Sequence, residues 1–274
     1  MSQTAINHAI EAGDLSGAVS AATAHVQKAP TDSGARYLLA ELLCVAGQLE
    51  RADTQLSVVL NQDPGSMVPI SLLRQLIRAE TARQDWHRDG RPPEFLTEVS
   101  AIARLHLEAG VKARAGDGPA AAATLAEAEA LRTPHAGRHK DASFDDFRDL
   151  DDACGGLLEM LSADGTYFWV GQDDVLGLDF APAKRLSDLI WRPVRLSLRD
   201  GTAGSLYMPM IYAGAGTDGL TDQHRLGRLT DWVERDGSIL GRGQRCFLVG
   251  EEAVSAADLT TLRFDEAQAG VEAA

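Results

Sequence analysis

The sequence predicts an α+β protein, an N-terminal array of paired helices followed by a smaller C-terminal domain of short antiparallel strands with one or two helices. Three observations predict it. A motif recurs at a fixed spacing near the N-terminus, the texture turns β-prone in the second half, and the acidic charge is concentrated there. Residues 1–140 carry 14 basic and 16 acidic groups, whereas residues 141–274 carry 12 and 24. Two domains are therefore expected, a helical one over 1–140 and an acidic α+β one over 141–274.

The repeat is Gly13-Asp-Leu15-x-x-Ala18, which returns as Gly47-Gln-Leu49-x-x-Ala52 after 34 residues, with Pro30 and Pro64 keeping the same offset. Thirty-four residues is the tetratricopeptide spacing, one helix–turn–helix per unit. Leu15, Ala18, Val19, Ala22 and Val26 form one helical stripe, and Leu49, Ala52, Leu56, Val59 and Leu60 form its counterpart. Tyr37 to Cys44 gives the second helix a broad apolar surface. Gly13 and Gly47 supply the positive φ that turns the chain between helices. One such hairpin cannot bury its own stripe, so the units must stack. Further helices are expected at about 66–85, 98–114 and 119–132, the first capped by Ser66 and the last opened by a looser echo of the repeat at Gly116.

Residues 143–162 predict one more helix. Phe144, Phe147, Leu150, Cys154, Leu157, Leu158 and Leu161 recur at three- and four-residue steps, with Asp145, Asp146, Asp149, Asp152 and Glu159 mostly off that stripe. Beyond Gly165, the strings Tyr167–Val170, Val194–Leu198, Ser205–Tyr212, Cys246–Val249 and Leu259–Phe264 read as strands. Asp200-Gly201 and Asp236-Gly237 are turn signals, and Pro209 suggests an edge or a bulge. Residues 270–274 are expected to fray.

Composition removes several function classes. The net charge of −14 disfavours a nucleic-acid or anionic-membrane surface. No apolar run is long enough to span a membrane, and the N-terminus lacks the basic flank of a secretory signal. Cys44, Cys154 and Cys246 are isolated, which leaves no disulfide framework and no Cys-x-x-Cys pair. The seven histidines form no His-Glu-x-x-His pattern, and His135-x-x-x-His139 reads as a flexible linker. The glycine-rich pieces around 214 and 241 lack the lysine and Ser/Thr of a phosphate loop. The carboxylates of Asp145 to Asp152 could serve a hard cation, yet they have neither a glycine-hinged loop nor a histidine, so a solvated or partner-facing acidic surface is the expectation. No catalytic residue, metal ligand or cofactor site is assigned.

An array of helical hairpins commonly holds a peptide or helix of another protein. Tyr37, Leu38 and Trp86 are the candidate anchors in such a groove.

The remaining strings resemble the ImpE/TagJ family, accessory proteins of the bacterial type VI secretion system. The likeness runs from Arg36 to Asp53, through Arg74–Glu80 and Pro93–Leu96, to Phe144–Asp152, Gly165–Val170 and Asp188–Pro193. It continues through Leu196–Gly201, Leu226–Trp232 and Gly243–Gly250, covering about residues 5–265. This resemblance implies a non-enzymatic cytoplasmic adaptor. Its partner would be the N-terminal helix of the small contractile-sheath subunit, with a link to the sheath-recycling AAA+ ATPase, and its effect would fall on sheath assembly or turnover. The resemblance also implies scaffold or interdomain roles for Arg148, Asp149, Trp191, Arg192, Asp231 and Trp232. Two alternatives stand beside it: a scaffold or chaperone-like protein with another partner, and a metal-dependent hydrolase built on the Asp145–Asp152 carboxylates.

Overall fold

A computed structural model describes residues 3–62, 65, 67–214 and 219–265. The expected cap Ser66 and the tail 270–274 lie outside the described residues. The N-terminal half is helical: α1 (Gln3–Ala12), α2 (Leu15–Lys28), α3 (Ser33–Val45), α4 (Leu49–Gln62), the long α5 (Met67–Asp89), α6 (Ala101–Arg114) and α7 (Gly118–Leu131). Helices α1/α2, α3/α4 and α6/α7 are hairpins closed by one device. Gly13, Gly47 and Gly116 take φ of +77°, +73° and +81°. Each donates its amide to the carbonyl three residues back, and the next residue donates to the carbonyl five back. Those paired bonds satisfy helix-terminal carbonyls that would otherwise lack partners. Asp14 and Asp117 then cap the following helices by accepting the amides of Gly17 and Ala120.

The second half is mostly sheet. Its principal nine-stranded sheet runs in the order β1-β6-β5-β9-β8-β7-β14-β2-β3. These are Glu94–Phe95 (β1), Tyr167–Gly171 (β6), Leu157–Leu161 (β5), Ala203–Pro209 (β9), Trp191–Leu198 (β8), Val175–Phe180 (β7), Thr261–Phe264 (β14), Gly137–His139 (β2) and Ala142–Phe144 (β3). Only β1 pairs in parallel, so a strand borrowed from between α5 and α6 extends the sheet. A three-stranded sheet holds β4 (Phe147–Asp149), β12 (Cys246–Val249) and β13 (Glu252–Ser255), and a ribbon pairs β10 (Thr230–Arg235) with β11 (Ser238–Gly243). The ribbon closes on Asp236 and Gly237, both at positive φ, the two-residue turn whose twist matches its strands. A short helix, α8 (Asp222–Arg225), precedes it.

Residues 143–162 are not a helix. They form β3, β4, a 3-10 turn at Asp152–Cys154 and β5. Gly155-Gly156 falls in the middle of the stretch, where two glycines cost a helix about 2 kcal/mol against alanine. Asp149 and Asp151 also accept the amides of Asp151 and Ala153, local bonds that compete with helix geometry. His135–His139, expected as a linker, contributes strand β2. Pro209 ends β9 opposite Trp191, so it breaks no ladder within the strand and marks neither an edge nor a bulge.

Two apolar cores result. One runs through the helices and into the sheet at Leu157, Leu161, Trp169 and Trp191. The other lies on the far side of the sheet, around Phe147, Leu158, Met160 and Phe247. Strand β5 therefore serves both, with alternate residues facing the helices and the second core.

Leu42 and Leu56 are fully buried between α3 and α4 and their neighbours. Alanine at either position is expected to cost about 2–5 kcal/mol by urea denaturation. A loss below about 0.5 kcal/mol at both would show that the assigned faces are wrong.

Candidate functional site

The face of β5 that meets the helices carries one carboxylate, Glu159, between Leu157 and Leu161. Helix α5 brings Arg83 to it, one turn beyond Glu80 on the same face. Arg83 donates from Nε to Glu159 Oε1 at 3.0 Å and from Nη2 to Oε2 at 2.8 Å, and Nη2 also reaches the Ile211 carbonyl at 3.1 Å. Arg245 donates to Glu159 Oε2 from the other side and to Asp149 Oδ2 at 2.7 Å. Tyr167 donates to Glu159 Oε1 at 2.5 Å and accepts the Trp169 indole N–H at 2.6 Å. Glu80 takes a bond from Arg83 Nη1 at 3.3 Å and another from the Trp191 indole at 3.1 Å. Tyr212 completes the chain, donating to Asp149 Oδ1 at 2.8 Å and accepting the Cys246 amide at 3.0 Å.

Arg83, Arg245, Asp149 and Glu159 are each at most 2% exposed. Burial alone would raise the Glu159 carboxyl, but the Arg83 and Arg245 guanidiniums outweigh it and hold the group well below the usual carboxylate range. Asp151, buried beside Asp149 without an arginine of its own, is pushed up to about 7 by burial and then by the Asp149 charge. Its oxygens accept the amides of Ala153 and Gly241.

This polar core forms one end of a cleft of about 820 Å³ between α5–α7 and the β10–β11 ribbon. Trp86 of α5 lines it, edge-on to Trp169 at 5.1 Å, with the Arg114 guanidinium 4.3 Å from its ring centre. Gly110 permits that seat, since a Cβ there would lie 2.6 Å from the Trp86 ring. Tyr212 and Leu240 also line it, as do Arg88, Arg225 and Arg235.

A second fastening crosses the ends of the first two hairpins. Asp222 accepts the Ser16 amide at 2.9 Å. Arg228 donates to the Ile10 and Glu11 carbonyls at 2.7 and 3.1 Å. Gln223 lies against Gly13 and Arg225 against Gly47. The glycines that repeat at 34-residue spacing thus have a further use: each leaves room for a side chain from α8, and a Cβ on Gly47 would stand 2.6 Å from Arg225 Nη1.

The residues singled out from the sequence scatter around this interface. Tyr37 and Leu38 are half-buried against the first core. Burial and then Glu41 push the Tyr37 hydroxyl up to about 12. The segment before β8 covers this part of α3, with Ser187 donating to Glu41 at 3.0 Å. Trp86 is 5% exposed and belongs to the core as well as to the cleft wall. The groove expected along the hairpins is therefore filled over α3 and α5 by the protein's own sheet. Trp191 bridges the two halves through Glu80, and Arg148 approaches Glu129 of α7 at 3.9 Å. Asp149 pairs with Arg245 inside the C-terminal half, and Asp231 accepts from His224 at 3.0 Å. Arg192 donates to the carbonyls of Ala181, Ala256 and Ala257. Trp232 is 42% exposed on β10, tilted against Tyr212 at 6.0 Å.

The Asp145–Asp152 run is not a solvated acidic face. Asp146 forks onto Arg132, Asp149 and Asp151 are buried, and Asp152 accepts the Ile239 amide. Among the described residues, no group of three or more His, Cys, Asp or Glu side chains could hold a metal ion. No helix among them is long and apolar enough to cross a membrane. Sequence reasoning missed Glu80, Arg83 and Glu159. The available signal was a charge inside an apolar stripe: Glu80 and Arg83 follow Leu73, Leu76 and Ile77, and Glu159 interrupts Leu157–Leu161.

Comparison with known proteins agrees over nearly the whole chain. The type VI secretion system accessory component TagJ of Pseudomonas aeruginosa is 30% identical over 267 residues, spanning 95% of this chain and 91% of that protein. The chain belongs to the ImpE/TagJ family. The ImpE protein family model matches residues 141–263, and a tetratricopeptide repeat model matches 9–77. The crystal structure of protein VPA1032 from Vibrio parahaemolyticus superposes with a TM-score of 0.89 at 31% identity, covering 96% of this chain and 98% of that one. In this ImpE/TagJ chain, the ImpE family match takes in most of the sheet and includes Asp149, Glu159 and Arg245, while Arg83 comes from the helical array.

Two consequences follow for stability. Arg83→Met strands Glu80 and half of the Glu159 charge in a buried site and is expected to cost about 3–5 kcal/mol in urea denaturation; a loss under about 1 kcal/mol would contradict the geometry. His106 of α6 donates from Nδ1 to the Ala153 carbonyl at 3.0 Å, and burial pushes its pKa down to about 4. The unfolded chain then binds the extra proton between about pH 6.5 and 4, so this contribution to stability is lost as pH falls through that window. Wild type is expected to lose about 2–3 kcal/mol more than His106→Gln over it, read from denaturant midpoints at each pH.

Proposed function

We propose that this protein is a non-enzymatic cytoplasmic adaptor of a bacterial type VI secretion system, holding the N-terminal helix of the small contractile-sheath subunit and modulating sheath assembly or turnover. Membership of the ImpE/TagJ family supports the accessory role, since the Pseudomonas aeruginosa relative is named an accessory component of that system. The observation that carries the adaptor reading is the cleft of about 820 Å³ left open between the helical array and the sheet. Its walls include Trp, Tyr and Arg side chains, the residue types enriched at the hot spots of protein–protein interfaces.

The buried carboxylates favour this reading over the hydrolase. Glu159 and Asp149 are committed to arginines, and Asp146 to Arg132, and among the described residues no group of three or more such side chains could hold a metal ion. The division into a helical domain over 1–140 and an acidic α+β domain over 141–274 is retained as a proposal about organisation. Contacts such as Trp191 to Glu80 support treating the two as one working unit. A link to the sheath-recycling AAA+ ATPase would pass through the bound sheath subunit.

Titration of the full-length protein with a labelled peptide of the sheath subunit's N-terminal helix tests the reading. Saturable binding at or below tens of micromolar is expected. A correctly folded protein that shows no saturation would remove the adaptor function, and pull-down with the products of the secretion gene cluster would then separate a chaperone-like role with another partner.

A further inference from the structure

The protein carries a net charge of −14, yet this cleft is lined by five arginines against three carboxylates. Arg88 is neutralised by Asp85 and Asp89. Arg83 is paired with Glu80 and Glu159, whereas Arg114, Arg225 and Arg235 have no carboxylate within ion-pair distance among the described residues. Arg114 spends one N–H on the Trp86 carbonyl at 2.9 Å and lies over the indole. Burial alone lowers its pKa, with no acid offsetting that effect. Arg225 reaches in from α8 beside Gly47, and Arg235 stands at the end of β10.

The acids that line the same opening do not answer these charges. Glu80 is held by Arg83 and Trp191, and Asp151 accepts two backbone amides. Asp236 sits at the ribbon turn against Gly118. Leu125 and Leu240, which also line the cleft, are half-buried and present apolar surface. An occupant that matches all of this has apolar side chains flanked by negative charge. A volume of about 820 Å³ is too small for a whole helix, whose cylinder is about 10–12 Å across, and suits a single turn inserted from the side.

We propose that this cleft seats one turn of a partner protein, whose apolar side chains meet Trp86, Leu125 and Leu240 and whose carboxylates pair with Arg114, Arg225 and Arg235. This rests on the adaptor function and adds the place and the chemistry of recognition. The guanidiniums are fixed on different elements, Arg114 on α6, Arg225 on α8 and Arg235 on β10, so a ligand that engages all three reads the distance between the two halves. Carboxylates on the partner would be matched in position as well as in sign.

The test uses the full-length protein and the labelled sheath-subunit helix peptide, read by fluorescence anisotropy, with folding checked by circular dichroism. Arg225→Glu/Arg235→Glu is compared with a control of equal charge change on the exposed sheet, Arg138→Glu/Arg195→Glu. The cleft variant is expected to bind about tenfold more weakly or worse, with the control unchanged. A peptide whose Asp and Glu residues are replaced by Lys is expected to recover binding to the cleft variant while losing it to wild type. If the double variant fails to fold, Arg235→Glu alone, on the exposed ribbon, carries the same comparison. Equal binding of the original peptide to wild type and cleft variant would overturn the proposed seat and leave the adaptor function standing. No binding to wild type would overturn both.

Discussion

The structure depends on one shared carboxylate. Glu159 sits on the strand face that meets the helices and is gripped by Arg83 from α5 and Arg245 from the sheet. Taking such charges out of water is costly, and apolar side chains of similar volume would stabilise the interface at least as well. The ionic arrangement supplies position. Apolar surfaces tolerate sliding, whereas a bidentate guanidinium on a buried carboxylate has one low-energy geometry. Tyr167, Trp169, Trp191 and Tyr212 add further hydrogen bonds to the cluster, so shifting α5 along the sheet would break several bonds together.

That fixed docking explains why an opening survives beside it. The strap from Asp222 to Arg228 holds the first two hairpins, the Arg83–Glu159 contact holds α5, and Arg132 on Asp146 holds the end of α7. Between these points the helices and the ribbon stand apart around the cleft. The cleft is a consequence of how the halves are joined, and its lining comes from both. A partner bound there would touch both halves at once.

The helical half was legible in the sequence because its signal is repeated and local. Gly13 and Gly47 close their hairpins through identical backbone bonds, and the stripes from Leu15 and Leu49 are buried as their spacing requires. Strands β6, β8, β12 and β14 were also legible from short β-prone runs. The stretch 143–162 was misread because a strand buried on both faces, a 3-10 turn and a second strand in succession mimic a helical period. The site was the least legible part. Its partners are 76 and 86 residues apart in the chain, and a lone glutamate in an apolar run looks like the polar side of a helix until the arginines arrive. Tyr37 and Leu38 looked like groove anchors because the sequence does not say that residues 184–190 fold back over α3. The family resemblance was carried by whole strings and needed none of this geometry.

The central claim is that the buried Arg83–Glu159–Arg245 contact makes the helical array and the sheet one cooperative body. Hydrogen exchange of the full-length protein, followed amide by amide at increasing denaturant, tests it most directly. The account predicts that the core amides of α5, β5 and β8 open in a single event with one free energy and one denaturant dependence. Exchange of α1 to α5 through an opening that leaves β5 and β8 protected would contradict it.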